Sequence, residues 1–352
     1  MSRRAYIDWL RGLAVVVMIE AHTIDAWTVD DPAVRGLGPY QWLTFIAGWA
    51  APLFLWLAGV SVTLAMSSHL RKGNSLADAS ALVQRRGWQI FAFAFLFRLQ
   101  SYMLSPTSPW WTMLKVDILN IMGLSMAGAA WCSGKGRTPR EQTLWLLAPA
   151  AFFGLVAQFT GGWAWPAALG QFEGYIRTIG NTGNFMVFPW AGFVFVGAWI
   201  GRLLLIDRDP AADRQFHLRL FLTGAAIVAI GFAGTYLPSL SIHSMFWRTS
   251  VSWFLLRVGA MQMLLALAWL WMRRPTSQHW SPMLVFGQTS LFVYWIHVEI
   301  VYGFPTALIR HTFSIRQALE AYALFTLLML GLAILWQKRK GGPLLPAALR
   351  VT

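Results

Sequence analysis

This chain contains few cysteines and few charged residues. It contains one cysteine, Cys132, and only 12% of its 352 residues are charged. One cysteine excludes an intramolecular disulfide and argues against a thiolate metal site. The sequence also has no CxxC pair, no HExxH pair, no phosphate-binding glycine loop and no repeat of fixed period. We therefore expect a protein that works without a bound metal.

Apolar residues take the place of the missing charge. Hydrophobic residues make up 57% of the chain, including 24 Phe and 21 Trp, whereas soluble domains carry about 25% charged residues. Apolar runs near the ~20 residues that cross a bilayer follow one another without a soluble domain between them. The sequence predicts an all-α membrane helix bundle with about ten transmembrane helices, at residues 5–28, 41–67, 85–104, 110–132, 141–160, 185–206, 216–237, 251–272, 282–303 and 316–337. We expect one domain over residues 1–340 and a short cytoplasmic tail over 341–352.

The basic residues are distributed unevenly between the two sides of this bundle. With the N-terminus taken as cytoplasmic, 19 of the 28 Lys and Arg residues fall on the inner side and five on the outer side. Cytoplasmic segments of membrane proteins carry such an excess, so we predict that the N-terminus and the C-terminus are both cytoplasmic. A basic surface beside anionic membrane lipid then explains the net charge of +14. We expect no nucleic-acid partner.

The first predicted helix carries ionisable side chains within a membrane-grade sequence. An ideal helix places Arg11 and His22 within about 20° of each other and about 16 Å apart along the axis. Asp8 and Asp25 lie on the same side within roughly 60°, whereas Glu20 points nearly opposite. A charged stripe on a transmembrane helix must face protein or water. One face of this helix thus carries a guanidinium group at one depth of the membrane and an imidazole group at another.

Polar side chains of five predicted helices share the outer depth of His22. Each Arg, Lys or Asp among them costs about 2.5–3.5 kcal/mol if it faces lipid, which indicates one shared cavity that opens outward. Histidine, with an ordinary pKa near 6.5, suits general-base work there. The candidate catalytic residues are His22, His297, Asp25 and Asp117, and the candidate substrate-binding residues are Arg98, Lys115, Asn120, Arg257 and Glu299.

Three arginines lie on the predicted inner side and form a basic mouth. Arg11, Arg85 and Arg86 can hold phosphates there, because guanidinium groups bind phosphate oxygens in pairs.

Structural alternatives stay open for several of these candidates. Arg11 can simply pair with Asp8 at i, i+3, and the adjacent arginines of the third span can act as a stop-transfer signal. Lys115 and Asp117 can form an ion pair with Arg98 or across helices. His297 can cap a polar seam in its aromatic surroundings.

Five blocks of the sequence are similar to one known family. They read IDWLRGLAVVVMIEAHTIDAW (Ile7–Trp27), APLFLWLAGVSVTLA (Ala51–Ala65), KVDILNIMGLSM (Lys115–Met126), FPWAGFVFVGAWIG (Phe188–Gly201) and GQTSLFVYWIHVEIVYG (Gly287–Gly303). In this order the blocks resemble the heparan-alpha-glucosaminide N-acetyltransferase-like family of multi-pass membrane acyltransferases. The first and last also resemble the broader group that modifies bacterial surface sugars.

The resemblance implies acyl transfer across a membrane. An acyl-CoA, typically acetyl-CoA, would bind from the cytoplasmic side, and its thioester would reach a buried histidine near the far side. An extracytoplasmic sugar or glycan would supply the acceptor hydroxyl or amine. The family's residues in the first, third and late helices correspond to Arg11, His22, Arg85, Arg86 and His297. Lysosomal members carry a luminal segment before the first span that this sequence does not show, so heparan sulfate itself is not the expected acceptor.

Two other classes of protein remain open at this point. A secondary transporter or exporter of a glycan precursor or organic anion also buries charges at mid-depth. A non-catalytic partner in a glycan-synthesis complex would share the fold, but it leaves the alignment of Arg11 with His22 unexplained. We expect a multi-pass protein of the bacterial inner membrane, compatible with a homodimer.

Overall fold

Helices account for the secondary structure of this protein. The computed structural model describes residues 5–104, 109–136, 138–164, 166–177, 185–274 and 280–340, and these ranges contain no strand. The α-helices among the described residues are α1 (Ala5–Trp27), α2 (Pro32–Arg35), α3 (Gly38–Ala47), α4 (Ala50–Arg71), α5 (Leu76–Leu104), α6 (Ile118–Ser133), α7 (Pro139–Val156), α8 (Trp190–Leu204), α9 (Pro210–Ala233), α10 (Phe246–Thr249), α11 (Val251–Trp271), α12 (Pro282–Gln288), α13 (Ser290–Tyr302) and α14 (Ile315–Arg339). The all-α class is confirmed, and the predicted tail at 341–352 lies outside the described residues.

Shorter 3-10 helices join several of these elements. They span Trp110–Leu114, Ala157–Gly162, Ala167–Tyr175, Gly234–Tyr236 and Phe304–Ile309.

Six segments of the described chain are long and apolar enough to cross a membrane. They are Gly38–Arg71, Trp110–Ser133, Pro139–Gly162, Pro210–Tyr236, Val251–Trp271 and Ile315–Arg339. The pair α12 and α13 makes a seventh if it is one span. Of the ten predicted spans, the three that contain α1, α5 and α8 stay predictions, because α1 is rich in charge, α5 is too polar and α8 is 15 residues long.

The predicted span at 282–303 is broken rather than straight. Helices α12 and α13 meet at an angle of 89°. Thr289, between them, has φ −112° and ψ 14°, which is not helical. Its hydroxyl donates to the carbonyl of Val285 at 2.8 Å and so binds a backbone acceptor near the end of α12.

The chain divides into two compact units. The first comprises Met1–Phe54 and Leu264–Thr352, so it is built from both ends of the chain, and the second comprises Leu55–Met263. The first unit therefore brings α1 together with α12, α13 and α14.

Two glycines bring α1 and α12 of the first unit into backbone contact. A Cβ added to Gly12 would lie 1.8 Å from the carbonyl oxygen of Met283, and one added to Gly287 would lie 1.8 Å from that of Asp8. Small residues of this kind let membrane helices approach closely. The contact holds the first turns of α1 against α12.

The other end of α1 is attached to the segment that leads into α14. The carbonyl oxygens of Ala26 and Trp27 accept hydrogen bonds from the backbone N–H groups of His311 and Phe313, at 3.0 and 2.9 Å. These carbonyls would otherwise be unsatisfied at the helix end. The last turns of α1 are thereby fixed relative to α14.

A second reciprocal glycine contact lies in the second unit. A Cβ on Gly59 of α4 would meet the carbonyl oxygen of Val194 at 1.9 Å, and one on Gly197 of α8 would meet that of Trp56 at 1.9 Å. The core of this unit is aromatic: Phe193 lies 4.9 Å from Phe254 between ring centroids.

Candidate functional site

Two histidines from distant parts of the sequence meet inside the first unit. Nδ1 of His22, on α1, lies 2.7 Å from Nε2 of His297, on α13. The ring planes differ by 5° and the centroids are 5.0 Å apart. Since the two nitrogens are much closer than the centroids, the rings lie edge to edge in nearly one plane. This is the geometry of an in-line N–H···N hydrogen bond.

A backbone carbonyl decides which histidine donates in this bond. Nδ1 of His297 lies 2.8 Å from the carbonyl oxygen of Val293, which can only accept. Nδ1 of His297 therefore carries hydrogen, and in a neutral imidazole its Nε2 is the acceptor. The hydrogen shared with His22 then sits on Nδ1 of His22, which leaves the lone pair of a neutral His22 on Nε2.

Burial distinguishes the two rings. His297 is fully buried, with an exposed fraction of 0%, whereas His22 is partly buried. His22 is thus the member of the pair that a substrate can reach, and His297 orients it from behind. Nucleophile and base pairs in enzymes commonly include such an orienting group.

A tyrosine at the end of α13 packs against His22. The ring of Tyr302 contacts His22 at 5.5 Å between centroids, with 66° between the planes. Asp25, about one helical turn beyond His22 on α1, pairs with Arg35, whose Nη1 lies 3.4 Å from its Oδ1.

Arg11 lies near the opposite end of α1. Its Nη1 pairs with Oδ1 of Asp8 at 3.0 Å and lies 3.5 Å from the carbonyl oxygen of Gly287. The structural ion pair with Asp8 is therefore present. The Arg11 side chain keeps 22% of its surface exposed, so it is accessible to a ligand.

Four candidate residues meet in the second unit around the start of α6. Arg98 and Asp117 form an ion pair of 3.1 Å between Nη2 and Oδ2. Asp117 is also the N-cap of α6: its carboxylate accepts from the N–H of Ile118, and its own N–H donates to the amide oxygen of Asn120 at 2.9 Å. Lys115 is exposed. Asp117 and Asn120 thus have a structural task as helix caps.

The remaining candidates belong to different surroundings. Arg257 is buried, and its guanidinium carbon lies 5.4 Å from the ring centroid of Trp253. Arg85 and Arg86 are exposed on α5 in the second unit. Oε1 of Glu299, in the first unit, is buried and has no hydrogen-bond partner among the described residues.

A metal ion would need several ligating side chains close together. Within the part of the chain that the structure describes, no three His, Cys, Asp or Glu side chains are grouped so that they could hold one.

Comparison with protein families adds to this geometry. Residues 3–232 match the catalytic family of heparan-alpha-glucosaminide N-acetyltransferase. The chain belongs to this family. A comparison with curated proteins gives no match.

The chain is therefore a membrane protein of the heparan-alpha-glucosaminide N-acetyltransferase type. This family uses acetyl-CoA as its acetyl donor. Arg11, His22 and Asp25 lie within the matched residues. His297, the hydrogen-bond partner of His22, lies beyond residue 232 and belongs to the last third of the chain.

Sequence reasoning missed two residues of this site. Tyr302 appeared only as part of an aromatic run, and Arg35 only as one of the outer basic residues. Tyr302 follows His297 by five positions, which gives no helical period that would select it. Its contact with His22 becomes visible only once α1 and α13 are packed together.

Proposed function

We propose that this protein transfers an acetyl group from acetyl-CoA to a hydroxyl or amine of an extracytoplasmic sugar, with His22 as the base. The observation that carries the proposal is the hydrogen bond from Nδ1 of His22 to Nε2 of His297. It presents the Nε2 lone pair of His22 for proton transfer. Family membership supports the same reaction class.

The proposed reaction needs only one proton carrier. Nε2 of His22 takes the proton from the acceptor as the acceptor oxygen or nitrogen attacks the thioester carbonyl. The carbon–sulfur bond then breaks, and the thiolate leaves with the proton that His22 holds. While His22 is an imidazolium, its Nδ1–H bond to neutral His297 stabilises the charge. A transient acetyl-histidine would use the same Nε2 lone pair.

The donor would enter along α1 from the cytoplasmic side. Arg11 and His22 are eleven residues apart on one helix, which is about 16 Å. An extended chain of about five residue-equivalents spans that distance, and the pantetheine arm of CoA has a similar reach. We place the CoA phosphates beside Arg11, and Arg85 and Arg86 stay candidates for phosphate binding.

Acceptor binding is proposed for the polar groups at the predicted outer depth. Arg98, Lys115, Asn120, Arg257 and Glu299 remain its candidates, and Asp117 remains a candidate catalytic carboxylate in addition to its role as a cap. A bacterial inner membrane, with its external glycans, is the proposed location.

Replacement of His22 by alanine tests this function. In detergent, the wild type should release CoA thiol from acetyl-CoA and acetylate glucosamine, which offers both an amine and hydroxyls. Loss of a general base costs about 10²–10⁴ in rate, so His22→Ala should lose at least 99% of the turnover. Its acetyl-CoA affinity, measured by calorimetry, should stay near that of the wild type.

An exposed histidine of the second unit provides the matched control. His243→Ala should keep wild-type turnover, because His243 is exposed and has no part in the proposed chemistry. High residual activity of His22→Ala would contradict the mechanism. A wild type that moves glycan precursors across vesicles without releasing CoA would instead support a transporter.

A further inference from the structure

A second side of α1, away from the histidine pair, faces α14. An ideal helix places Glu20, Ile24 and Trp27 within about 60° of one another. Ile24 packs in a buried cluster with Ala318 of α14, and the ring centroid of Trp27 lies 5.5 Å from that of Phe325, also on α14. Glu20 therefore belongs to the stripe of α1 that packs against α14.

Glu20 is buried on this stripe without a hydrogen-bond partner. Its exposed fraction is 5%, and neither of its carboxyl oxygens has a hydrogen-bond partner among the described residues. The hydroxyl of Thr23, one turn further along α1, already donates to the carbonyl oxygen of Ile19 at 2.8 Å. A hydroxyl has one hydrogen, so Thr23 has none left for a carboxylate.

Among the described residues, the helices that pack against α1 bring no cation to the middle of this stripe. The other charged side chains of α1, and His22, lie at least about 120° from Glu20 around the helix. Helix α12 has no ionisable side chain, and the basic residues of α14 lie in its first and last turns. Tyrosines are uncharged near neutral pH, and His297 is bonded to His22. The ionisable side chains of α3, α13 and α14 are Tyr40, Tyr294, His297, Glu299, Tyr302, Arg316, Glu320, Tyr322, Lys338 and Arg339.

Burial among apolar side chains decides the protonation state of such a group. Between its two ends, the buried residues of α14 are Ala318, Phe325, Met329 and Ala333. An isolated carboxylate is far more costly in these surroundings than a neutral carboxylic acid, so the acid keeps its proton.

We propose that Glu20 is a proton-binding site and that its proton stabilises the contact between α1 and α14. The ligand of this site is a single proton, held inside the first unit. The site goes beyond the proposed function and does not rest on it, because Glu20 lies nearly opposite His22 on α1.

A proton held at Glu20 makes the stability of the protein fall as the pH rises. The folded protein keeps this proton, whereas a glutamate in the unfolded chain loses its proton above about pH 4.3. Unfolding therefore releases one proton, and the equilibrium constant for unfolding rises about tenfold per pH unit. The dependence continues up to the pH at which the folded protein itself releases the proton.

Replacement of Glu20 by glutamine removes this proton and keeps the shape of the side chain. In detergent, the melting temperature of Glu20→Gln relative to that of the wild type should rise steadily from pH 5 to pH 7. The corresponding change in the relative unfolding constant is up to about 100-fold. Glu20→Met, which also has no ionisable group, should show the same trend even if the amide disturbs the packing.

Glu320→Gln is the matched control on α14. Glu320 is exposed and paired with Arg316 at 2.9 Å, so it is ionised in the folded protein and the difference between this variant and the wild type should stay constant over the same pH range. An ionised Glu20, held by a cation or by internal water, would likewise give differences that do not change with pH. That result for both Glu20 variants would overturn the proton site.

Chemical labelling tests the same proton without unfolding the protein. Dicyclohexylcarbodiimide is apolar and adds to protonated carboxyl groups, and peptide mass spectrometry can follow Glu20 and Glu320 in one sample. At neutral pH the adduct should form on Glu20 and not on Glu320. The reverse pattern would overturn the proposal. Neither measurement uses acetyl transfer, so an inactive wild type would count against the proposed function and leave the proton site standing.

Discussion

The hydrogen bond between the two histidines makes a quantitative prediction for His297. His297→Met keeps an apolar side chain of comparable length but provides no strong acceptor for Nδ1–H of His22. During the reaction that bond would be charge-assisted, and hydrogen bonds to charged groups are worth about 1.5–3 kcal/mol. We expect the turnover number of His297→Met to fall about 10- to 150-fold. The affinity for acetyl-CoA should not change.

A second substitution at the same position isolates the acceptor atom. In His297→Gln the amide oxygen can take the place of Nε2 and accept the hydrogen bond from His22. The turnover number of this variant should therefore fall less than about tenfold, which corresponds to the net worth of one hydrogen bond between neutral groups. Both variants lose the contact with the carbonyl of Val293, which therefore cancels in the comparison. The assay measures CoA thiol released from acetyl-CoA with glucosamine as acceptor, on variants with a wild-type melting temperature. Equal activity of the two variants would refute the tautomer argument.

Two further predictions concern packing and the donor. Gly287→Ala should lower the melting temperature in detergent, because overpacking at the contact between α1 and α12 costs about 1–3 kcal/mol. Gly331→Ala should not lower it, because the added carbon meets no atom within 4 Å beyond its chain neighbours and the backbone of its own helix. Arg85 and Arg86 replaced together by Gln should weaken acetyl-CoA binding about 10-fold or more, measured by calorimetry. Arg316→Gln, an exposed arginine paired with Glu320, is its control, and unchanged affinity of the double variant would remove both arginines from the donor site.

The sequence was sufficient for the class of fold, because apolar runs of membrane length are rare outside membrane-spanning helices. It was less informative for the span at 282–303. Hydropathy averages over a window, so it cannot detect that Thr289 leaves the helical region and turns the chain by 89°. An average over a window also fails for α1. Its charged residues exclude it from the apolar spans, although α1 is one continuous helix.

For the site, helical periodicity was enough to align Arg11 with His22, because both lie on one helix. It could not assign the partner of His22. His297 was selected for its predicted depth and for the family resemblance, and only the packing of α1 against α13 brings Nδ1 of His22 within 2.7 Å of Nε2 of His297. Nor could spacing separate the two roles of Asp117, which caps α6 and pairs with Arg98. Capping depends on where a helix begins, and sequence-based boundaries are the least certain part of a prediction.

The assembly of the first unit from both ends of the chain affects how the protein is made. His22 and His297 are separated by 275 residues, and ribosomes add about 5–20 residues per second. The polar side of α1 therefore leaves the ribosome on the order of 14–55 s before its partner does. During that interval Asp8, Arg11 and His22 have no α12 or α13 to cover them. We expect α1 to stay beside the insertion machinery or at the membrane surface until then. Premature termination in the last third of the gene should leave α1 without its partners, and such a helix is not stable in lipid.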